Sequence, residues 1–257
     1  MTTGTPGVVA PGVAAPVVAA PVFVAPVFVA IDTPDAARAA RLAAAVAPHV
    51  AGIKLGLEFF VANGPDAVRR VAQGVPLFLD LKLHDIPNTV AGAVRSALAV
   101  GARYLTLHAS GGPAMLRAAA DAARAAPRPP KLLAVTVLTS LAEDDLARIG
   151  QIGPARAQVE RLALMARAAG CDGAVCSPHE TAALRAACGA GFDLVVPGIR
   201  PAGSNGGDDQ KRVMAPDQAI AAGASYLVIG RPITGAPDPA AAARAIAESL
   251  APGRATP

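Results

Sequence analysis

The sequence predicts an α/β fold class, a single-domain (β/α)8 TIM barrel. One unit recurs eight times: a short run rich in apolar and β-branched residues, a polar or glycine-containing turn, and an alanine-rich segment of helical length. The units fill most of the 257 residues, and 53% of the chain is hydrophobic, which suffices for one large core. Eight such units favour a closed barrel over an open doubly wound sheet.

The eight strands are predicted from their apolar runs and from the turns that bound them. Their predicted ranges are 27–31, 52–55, 77–81, 104–108, 132–138, 173–176, 193–197 and 226–229. Glycine-alanine pairs at Gly101-Ala102 and Gly223-Ala224 predict helix ends directly before the fourth and eighth strands. The segments between the strands are predicted to be the barrel helices.

The N-terminal segment is predicted to be a flexible tail over residues 1–26, before a barrel domain at 27–251 and a C-terminal tail at 252–257. Its prolines recur every five residues and would break a membrane-spanning helix, so no membrane association is expected. The motif Pro-Val-Phe-Val-Ala occurs at 21–25 and again at 26–30. The second copy is the better candidate for the first strand, but the sequence leaves open which copy pairs in the sheet.

Composition excludes several other classes of protein. The 23 basic and 19 acidic residues nearly balance and only 3% of residues are aromatic, which argues against a nucleic-acid surface. The three cysteines contain no C-x-x-C pair, which argues against a disulfide framework and a zinc knuckle. A cytoplasmic location with free thiols is expected.

The stretch 77–90 carries the strongest indication of chemistry. Its third-strand residues alternate strictly, which places Asp80 and Lys82 on one face and leucines on the other. Burying a charge is costly unless it is paired, so an acid and a base sharing an interior face indicate a functional pair. An edge strand with a solvated ion pair is the plain alternative. A metal site formed by Asp80, His84 and Asp85 is another, although Lys82 would compete with the cation.

Other polar residues follow the carboxyl ends of the predicted strands, where barrel active sites lie. They are Asp32, Lys54, Asp80, Lys82, His108, Thr139, Ser177, Arg200 and Arg231. The chain has only four lysines, and Lys54 shares a strand face with Gly52 and Gly56, which leave room for a ligand. The glycine-rich loop 197–210 and the pair Gly230-Arg231 follow strands seven and eight, the usual position of a barrel phosphate site.

Three motifs together resemble the orotidine 5′-phosphate decarboxylase family. They are Asp-Leu-Lys-Leu-His-Asp-Ile-Pro-Asn-Thr at 80–89, Pro-Gly-Ile-Arg at 197–200 and Val-Ile-Gly-Arg-Pro-Ile-Thr at 228–234. The D-x-K-x-x-D core is specific at the end of a third barrel strand, although related sugar-phosphate decarboxylases share it. The resemblance implies decarboxylation of orotidine 5′-monophosphate to UMP and CO2 in pyrimidine biosynthesis, with neither metal nor other cofactor.

The resemblance also implies roles for individual residues. Lys82 resembles the family's proton donor, and Asp80, Lys54 and Asp85 complete its charged tetrad. The implied substrate-binding residues are Asp32, Lys54, Thr89, Thr139, Arg200, Gln210, Gly230 and Arg231. Asp85 and Thr89 are expected to reach the neighbouring subunit's site, which implies a homodimer.

Two rival functions stay open at this point. A metal-dependent sugar-phosphate decarboxylase or aldolase would use the same barrel and the same core motif. A non-catalytic nucleotide-phosphate binding protein would use the phosphate loops alone, with the proline-repeat tail as a contact element.

Overall fold

Eight parallel strands close into a barrel in chain order, each hydrogen-bonded to the next and the last to the first. The computed structural model describes residues 24–151, 153–201 and 214–251. The strands are β1 (Ala25–Ala30), β2 (Val50–Gly56), β3 (Leu77–Leu83), β4 (Tyr104–His108), β5 (Lys131–Val135), β6 (Gly173–Val175), β7 (Asp193–Val196) and β8 (Tyr226–Ile229). The predicted (β/α)8 fold is confirmed.

Helices connect the strands and surround the barrel. They are α1 (Ala36–Val46), α2 (Leu57–Val71), α3 (Pro87–Leu98), α4 (Gly112–Arg124), α5 (Glu143–Arg148), α6 (Ala155–Ala168), α7 (Thr181–Cys188), α8 (Pro216–Ala221), α9 (Arg231–Thr234) and α10 (Pro239–Leu250), with a short 3-10 helix at Ala109–Gly111. Their alanine-rich faces pack on the outer side of the strands and form one continuous apolar cluster with them. No helix of the described residues is long and apolar enough to span a membrane.

The strand boundaries agree with the sequence prediction to different degrees. β4 and β8 begin and end where predicted, whereas β5 ends at Val135, three residues earlier than expected. Beyond that point the Thr136 hydroxyl donates to the Val175 carbonyl oxygen at 2.9 Å, and Val137 and Leu138 turn toward a cavity. The second Pro-Val-Phe-Val-Ala copy lies within β1, while residues 1–23 and 252–257 lie outside the described part of the chain.

The interior of the barrel is filled from its amino end by aromatic rings. The Phe28 ring packs edge-to-face on the rings of Phe78 and Tyr104, with centroids 5.6 and 5.5 Å away. Gly52 makes room for them, because a Cβ there would lie 2.7 Å from the Phe28 ring and 2.2 Å from the Pro76 carbonyl oxygen. This layer closes the amino end, so a cavity can form only toward the carboxyl ends of the strands.

Candidate active site

The carboxyl end of β3 departs from regular strand geometry. Leu79 pairs with Leu105 and Leu83 with Leu107, so four steps along β3 face two steps along β4. Within this bulge the backbone of Lys82 has a φ of 49°. Among the described residues, Lys82 is the one residue other than glycine with a positive φ. Such a backbone costs about 1–3 kcal/mol and occurs mainly where function requires it. Alternation alone therefore predicted the correct face for Lys82, but the backbone that places it there is irregular.

Two lysines and two aspartates form a connected network at this end of the barrel. Lys82 Nζ donates to Asp80 Oδ2 at 2.8 Å, and Lys54 Nζ lies 3.4 Å from the same oxygen. Lys54 Nζ also donates to Asp32 Oδ1 at 3.3 Å. The side chains of Lys54 and Asp80 are nearly buried, at 12% and 11% exposure, whereas Asp32 is 59% exposed. The prediction that Asp80 and Lys82 form a paired charge is confirmed, and the solvated edge-strand alternative is wrong.

The network keeps its buried members charged. Burial alone would raise the pKa of Asp80, but the charges of Lys54 and Lys82 and the hydrogen bonds it accepts outweigh burial, so its pKa is lowered. Burial alone would lower the pKa of Lys54, but the carboxylates of Asp80 and Asp32 reverse this, so its pKa is raised. Near neutral pH the site therefore presents fixed ammonium and carboxylate groups side by side.

Thr106 on β4 belongs to this network, and sequence reasoning missed it. Its hydroxyl donates to Asp80 Oδ1 at 2.9 Å and accepts the Lys82 backbone N–H at 2.9 Å. The residue is fully buried on the interior face of β4, one layer above Tyr104. The alternation of Tyr104, Thr106 and His108 placed it inside the barrel, but an interior threonine in an apolar strand is equally typical of packing.

A cavity of about 280 Å³ opens beside the charged network. One part of its wall is formed by Asp32, Lys54, Asp80 and Lys82. The side after β5 is formed by Leu138 and Thr139, and the side at the ends of β7 and β8 by Arg200, Gly230 and Arg231. The volume is of the size that small-molecule sites have. The cavity therefore brings predicted residues from six strand ends together around one space.

The connection after β7 is anchored at both sides of its undescribed portion. Arg200 N–H donates to the Met214 carbonyl oxygen at 3.0 Å, and Met214 N–H donates to the Gly198 carbonyl oxygen at 3.3 Å. Arg200 also donates from its guanidinium to the Ile199 carbonyl oxygen at 2.9 Å. The predicted substrate residue Gln210 lies outside the described residues, so its role stays a prediction.

Asp85 and Thr89 lie outside the cavity of their own chain. Both are exposed, and Asp85 accepts the backbone N–H of Ile86 at 2.6 Å. Asp85 takes part in none of the ion pairs among the described residues. It borders a second, open depression with His84, Ile86, Pro87, Ser110 and Gly111. The expectation that these two residues serve a neighbouring subunit stays a prediction.

His108 and Cys176 are neighbours of the charged network and its cavity. The centroids of the His108 and His84 rings are 5.4 Å apart. Burial, followed by the charges of His84 and Lys82, lowers the pKa of His108, and the charge of Asp80 opposes this shift. Cys176 lies in the cavity wall, but burial raises the pKa of its thiol to about 12, so it is a poor nucleophile at neutral pH. Neither offers a better acid or base than the lysine network.

Comparison with known proteins agrees with this geometry. The model of the orotidine 5′-phosphate decarboxylase / HUMPS family matches residues 25–246 of the chain. The chain is 58% identical over 222 residues to the orotidine 5′-phosphate decarboxylase of Anaeromyxobacter dehalogenans, a match that covers 86% of this chain and 96% of that protein. It is 53% identical over 230 residues to the protein of the same name from Thermobifida fusca, covering 89% and 97%.

A solved structure shows the same likeness in three dimensions. The crystal structure of orotidine 5′-phosphate decarboxylase from Lactobacillus acidophilus aligns with a TM-score of 0.76 and 38% sequence identity, covering 88% of this chain and 99% of that one. The region that the family model matches, residues 25–246, takes in every strand of the barrel and the whole charged network.

Proposed function

The chain belongs to the orotidine 5′-phosphate decarboxylase family, and from this premise we propose that it converts orotidine 5′-monophosphate to UMP and CO2 in pyrimidine biosynthesis, with Lys82 protonating C6. The observation that carries the proposal is the contact of 2.8 Å between Lys82 Nζ and Asp80 Oδ2 in the wall of the cavity. A partly buried ammonium, with its side chain 29% exposed and held at a fixed position by Asp80, is the group that this reaction needs.

The chemistry explains that need. When the bond between C6 and the carboxylate breaks, the electron pair stays in the ring plane, where the π system cannot delocalise it. An ammonium beside C6 stabilises this developing charge and then transfers a proton from Lys82 Nζ to C6. CO2 leaves as a neutral molecule, and the lysine regains its proton from water. These steps draw on no electron acceptor and no covalent intermediate.

Asp80 has two effects on the reaction. It holds Lys82 in place, and it would repel the substrate carboxylate until that group leaves as CO2. Two like charges ~4 Å apart cost about 4 kcal/mol at an effective dielectric near 20, which corresponds to roughly a thousandfold in rate. A very slow uncatalysed reaction needs well over ~10 kcal/mol of help, so most of it comes from the placed ammonium and from phosphate binding.

The other end of the cavity fits a phosphate. Arg200, Gly230 and Arg231 line it at the ends of β7 and β8, and a guanidinium recognises a phosphate through paired hydrogen bonds. Asp32 and Lys54 are proposed to contact the ribose, and Thr139, beside Leu138, the pyrimidine. Gln210 is proposed to contact the phosphate from the loop after β7.

We also propose a homodimer in which Asp85 and Thr89 complete the partner's site. The Asp85 carboxylate is exposed and takes part in none of the ion pairs of the described residues, and the neighbouring Ile86 is 67% exposed, so a partner subunit could cover both. Placing Asp85 beside the partner's Lys82 would give that ammonium a second carboxylate. The free, buried cysteines fit a cytoplasmic, reducing environment.

The reaction is tested by incubating the purified protein with orotidine 5′-monophosphate, with and without EDTA, while the ultraviolet absorbance of the substrate is followed. The proposal expects equal turnover in both samples and one UMP formed for each CO2. A metal-dependent decarboxylase or aldolase of this barrel superfamily would lose activity with EDTA, and a non-catalytic nucleotide-binding protein would leave the substrate intact.

The shared site is tested by complementation. Lys82→Ala and Asp85→Ala subunits are each expected to be inactive, but after subunit exchange one site of each mixed dimer contains both wild-type groups. An equal mixture should regain about a quarter of wild-type activity, since half of the dimers are mixed and each has one intact site. A monomeric protein, or a mixture without recovered activity, would contradict the shared site.

A further inference from the structure

We propose that Thr106 is a positioning residue for the decarboxylation, because its single hydroxyl fixes both the Asp80 carboxylate and the backbone of Lys82. The kinetic consequence rests on the proposed function, whereas the positioning itself does not. Thr106 belongs to β4, a different strand from the two residues that it holds.

The hydroxyl uses both of its hydrogen-bonding capacities in this arrangement. It donates to Asp80 Oδ1 at 2.9 Å and accepts from the Lys82 backbone N–H at 2.9 Å. Asp80 therefore directs one oxygen at Thr106 and the other at the two ammonium groups, with Lys82 Nζ at 2.8 Å and Lys54 Nζ at 3.4 Å. Fixing Oδ1 fixes the plane of the carboxylate, and so fixes where Oδ2 holds Lys82 Nζ.

The contact with the Lys82 backbone replaces a missing strand pairing. Between the pairs Leu79 with Leu105 and Leu83 with Leu107, the regular register of β3 and β4 is interrupted. The Lys82 N–H finds its acceptor in the Thr106 side chain, at the residue whose φ is 49°. A lysine keeps a left-handed backbone conformation only where its surroundings hold it, and this hydrogen bond is one such restraint.

Burial makes the arrangement rigid and sensitive to substitution. Thr106 is fully buried, so no water is at hand to replace its hydroxyl. Burial tends to raise the pKa of Asp80, and the hydrogen bond from Thr106 is among the interactions that lower it again. Serine keeps the hydroxyl at this position, whereas valine keeps the shape and removes the hydroxyl.

The kinetic test compares Thr106→Val with Thr106→Ser. Loss of a hydrogen bond to a charged group predicts that kcat for orotidine 5′-monophosphate falls about tenfold to a hundredfold in the valine variant. KM should change by less than about threefold, because Thr106 is fully buried and is not among the residues that line the cavity. The serine variant should recover most of kcat. If valine does not fold, Thr106→Ala against Thr106→Ser gives the same comparison.

A matched control separates positioning from simple packing. Thr181 is also fully buried, and its hydroxyl donates to the Ser177 carbonyl oxygen at 3.1 Å, away from Asp80 and Lys82. Thr181→Val should lower thermal stability by a similar amount and leave kcat within about threefold of wild type. Equal losses of kcat in the two valine variants, or a rise in KM alone for Thr106→Val, would overturn the proposal.

A second measurement does not depend on the reaction. Amide hydrogen exchange at Lys82 in the ligand-free protein should accelerate about tenfold or more in Thr106→Val and stay slow in Thr106→Ser. Unchanged exchange in the valine variant would refute the positioning role. Absence of turnover in the wild-type protein would instead refute the proposed function, and the exchange measurement would still decide the role of Thr106.

Discussion

The two ends of this barrel hold the same chemical arrangement in two different settings. At the carboxyl end, Asp80 pairs with Lys82 at 2.8 Å and accepts from the Thr106 hydroxyl at 2.9 Å. At the amino end, Asp193 pairs with Lys131 at 2.8 Å and accepts from the Tyr104 hydroxyl at 2.9 Å. β4 supplies the hydroxyl donor at both ends.

The surroundings decide what each arrangement does. The amino-end aspartate lies against packed aromatic rings, and Lys131 is about half exposed and lies 5.9 Å from the Tyr104 ring centroid. The carboxyl-end pair faces a cavity, lies beside a second lysine, the nearly buried Lys54, and has a strained backbone at Lys82. An aspartate, a lysine and a hydroxyl are therefore not a catalytic site in themselves. We propose that the cavity and the second ammonium, that of Lys54, make the carboxyl-end group one.

The largest expected difference concerns the two lysines. Lys82→Ala should lower turnover of orotidine 5′-monophosphate by more than about a thousandfold, because it removes both the stabilising charge and the proton donor. UMP should still bind, since the proposed phosphate-binding residues at the ends of β7 and β8 are unchanged. Lys131→Ala is the matched control and should keep turnover near wild type. Retained turnover in Lys82→Ala would rule out its role as proton donor.

Two arginines at opposite ends give a smaller contrast. Arg231→Ala should weaken binding of UMP by about 2 kcal/mol, or roughly thirtyfold, and leave binding of the nucleoside uridine unchanged. Arg103, which donates to the Tyr226 hydroxyl at 3.1 Å, provides the control, because Arg103→Ala should bind UMP normally. Calorimetric titration measures both ligands, and an equal loss for nucleoside and nucleotide would contradict the phosphate role.

The amino-end arrangement is expected to contribute to stability alone. Burial raises the pKa of the Tyr104 phenol, which stays a donor to Asp193 across the ordinary pH range. Tyr104→Phe removes this donor and should lower the free energy of unfolding by about 1.5 kcal/mol, measured by urea denaturation. Turnover well below the melting temperature should stay at the wild-type level, and a large loss of kcat would show that this end also takes part in the reaction.

The smallest expected effect is a pH dependence at His108. Its pKa is lowered in the folded protein, so the unfolded chain binds a proton more readily. The stability that this histidine contributes is therefore present above about pH 6.5 and is lost as the pH falls through the folded pKa. His108→Gln should lose less thermal stability than wild type between pH 7 and pH 5, and equal losses would contradict the shift.

The sequence predicted most of the charged residues at the carboxyl end of the barrel and did not predict the Asp193–Lys131 pair at the amino end. Periodicity and turn residues sufficed for eight strands, and an acid and a base in a leucine strand marked Asp80 and Lys82. Lys54 followed from its glycine neighbours and from its position at a strand end. These are local signals. Regular strand alternation accounts for the faces of Lys54 and Asp80, whereas Lys82 reaches the same space through the bulge.

The parts that sequence could not predict depend on contacts between strands. The bulge at Lys82 follows from the register between β3 and β4, and Thr106 gains its role only because that bulge presents an N–H to it. The pairing of Asp193 with Lys131 joins residues 62 positions apart. The predicted reach of Asp85 depends on a second subunit, which no pattern within one chain determines.

The difference between the two Asp–Lys pairs is tested most directly by measuring turnover in Asp80→Asn and Asp193→Asn, with folding of each variant verified by circular dichroism. Both substitutions keep the shape of the side chain and remove one carboxylate from an Asp–Lys pair of 2.8 Å. We expect Asp80→Asn to lose more than about a hundredfold in kcat and Asp193→Asn to keep wild-type kcat with a lower melting temperature. Similar kcat losses in the two variants, or an active Asp80→Asn, would contradict the proposed difference between the two ends of the barrel.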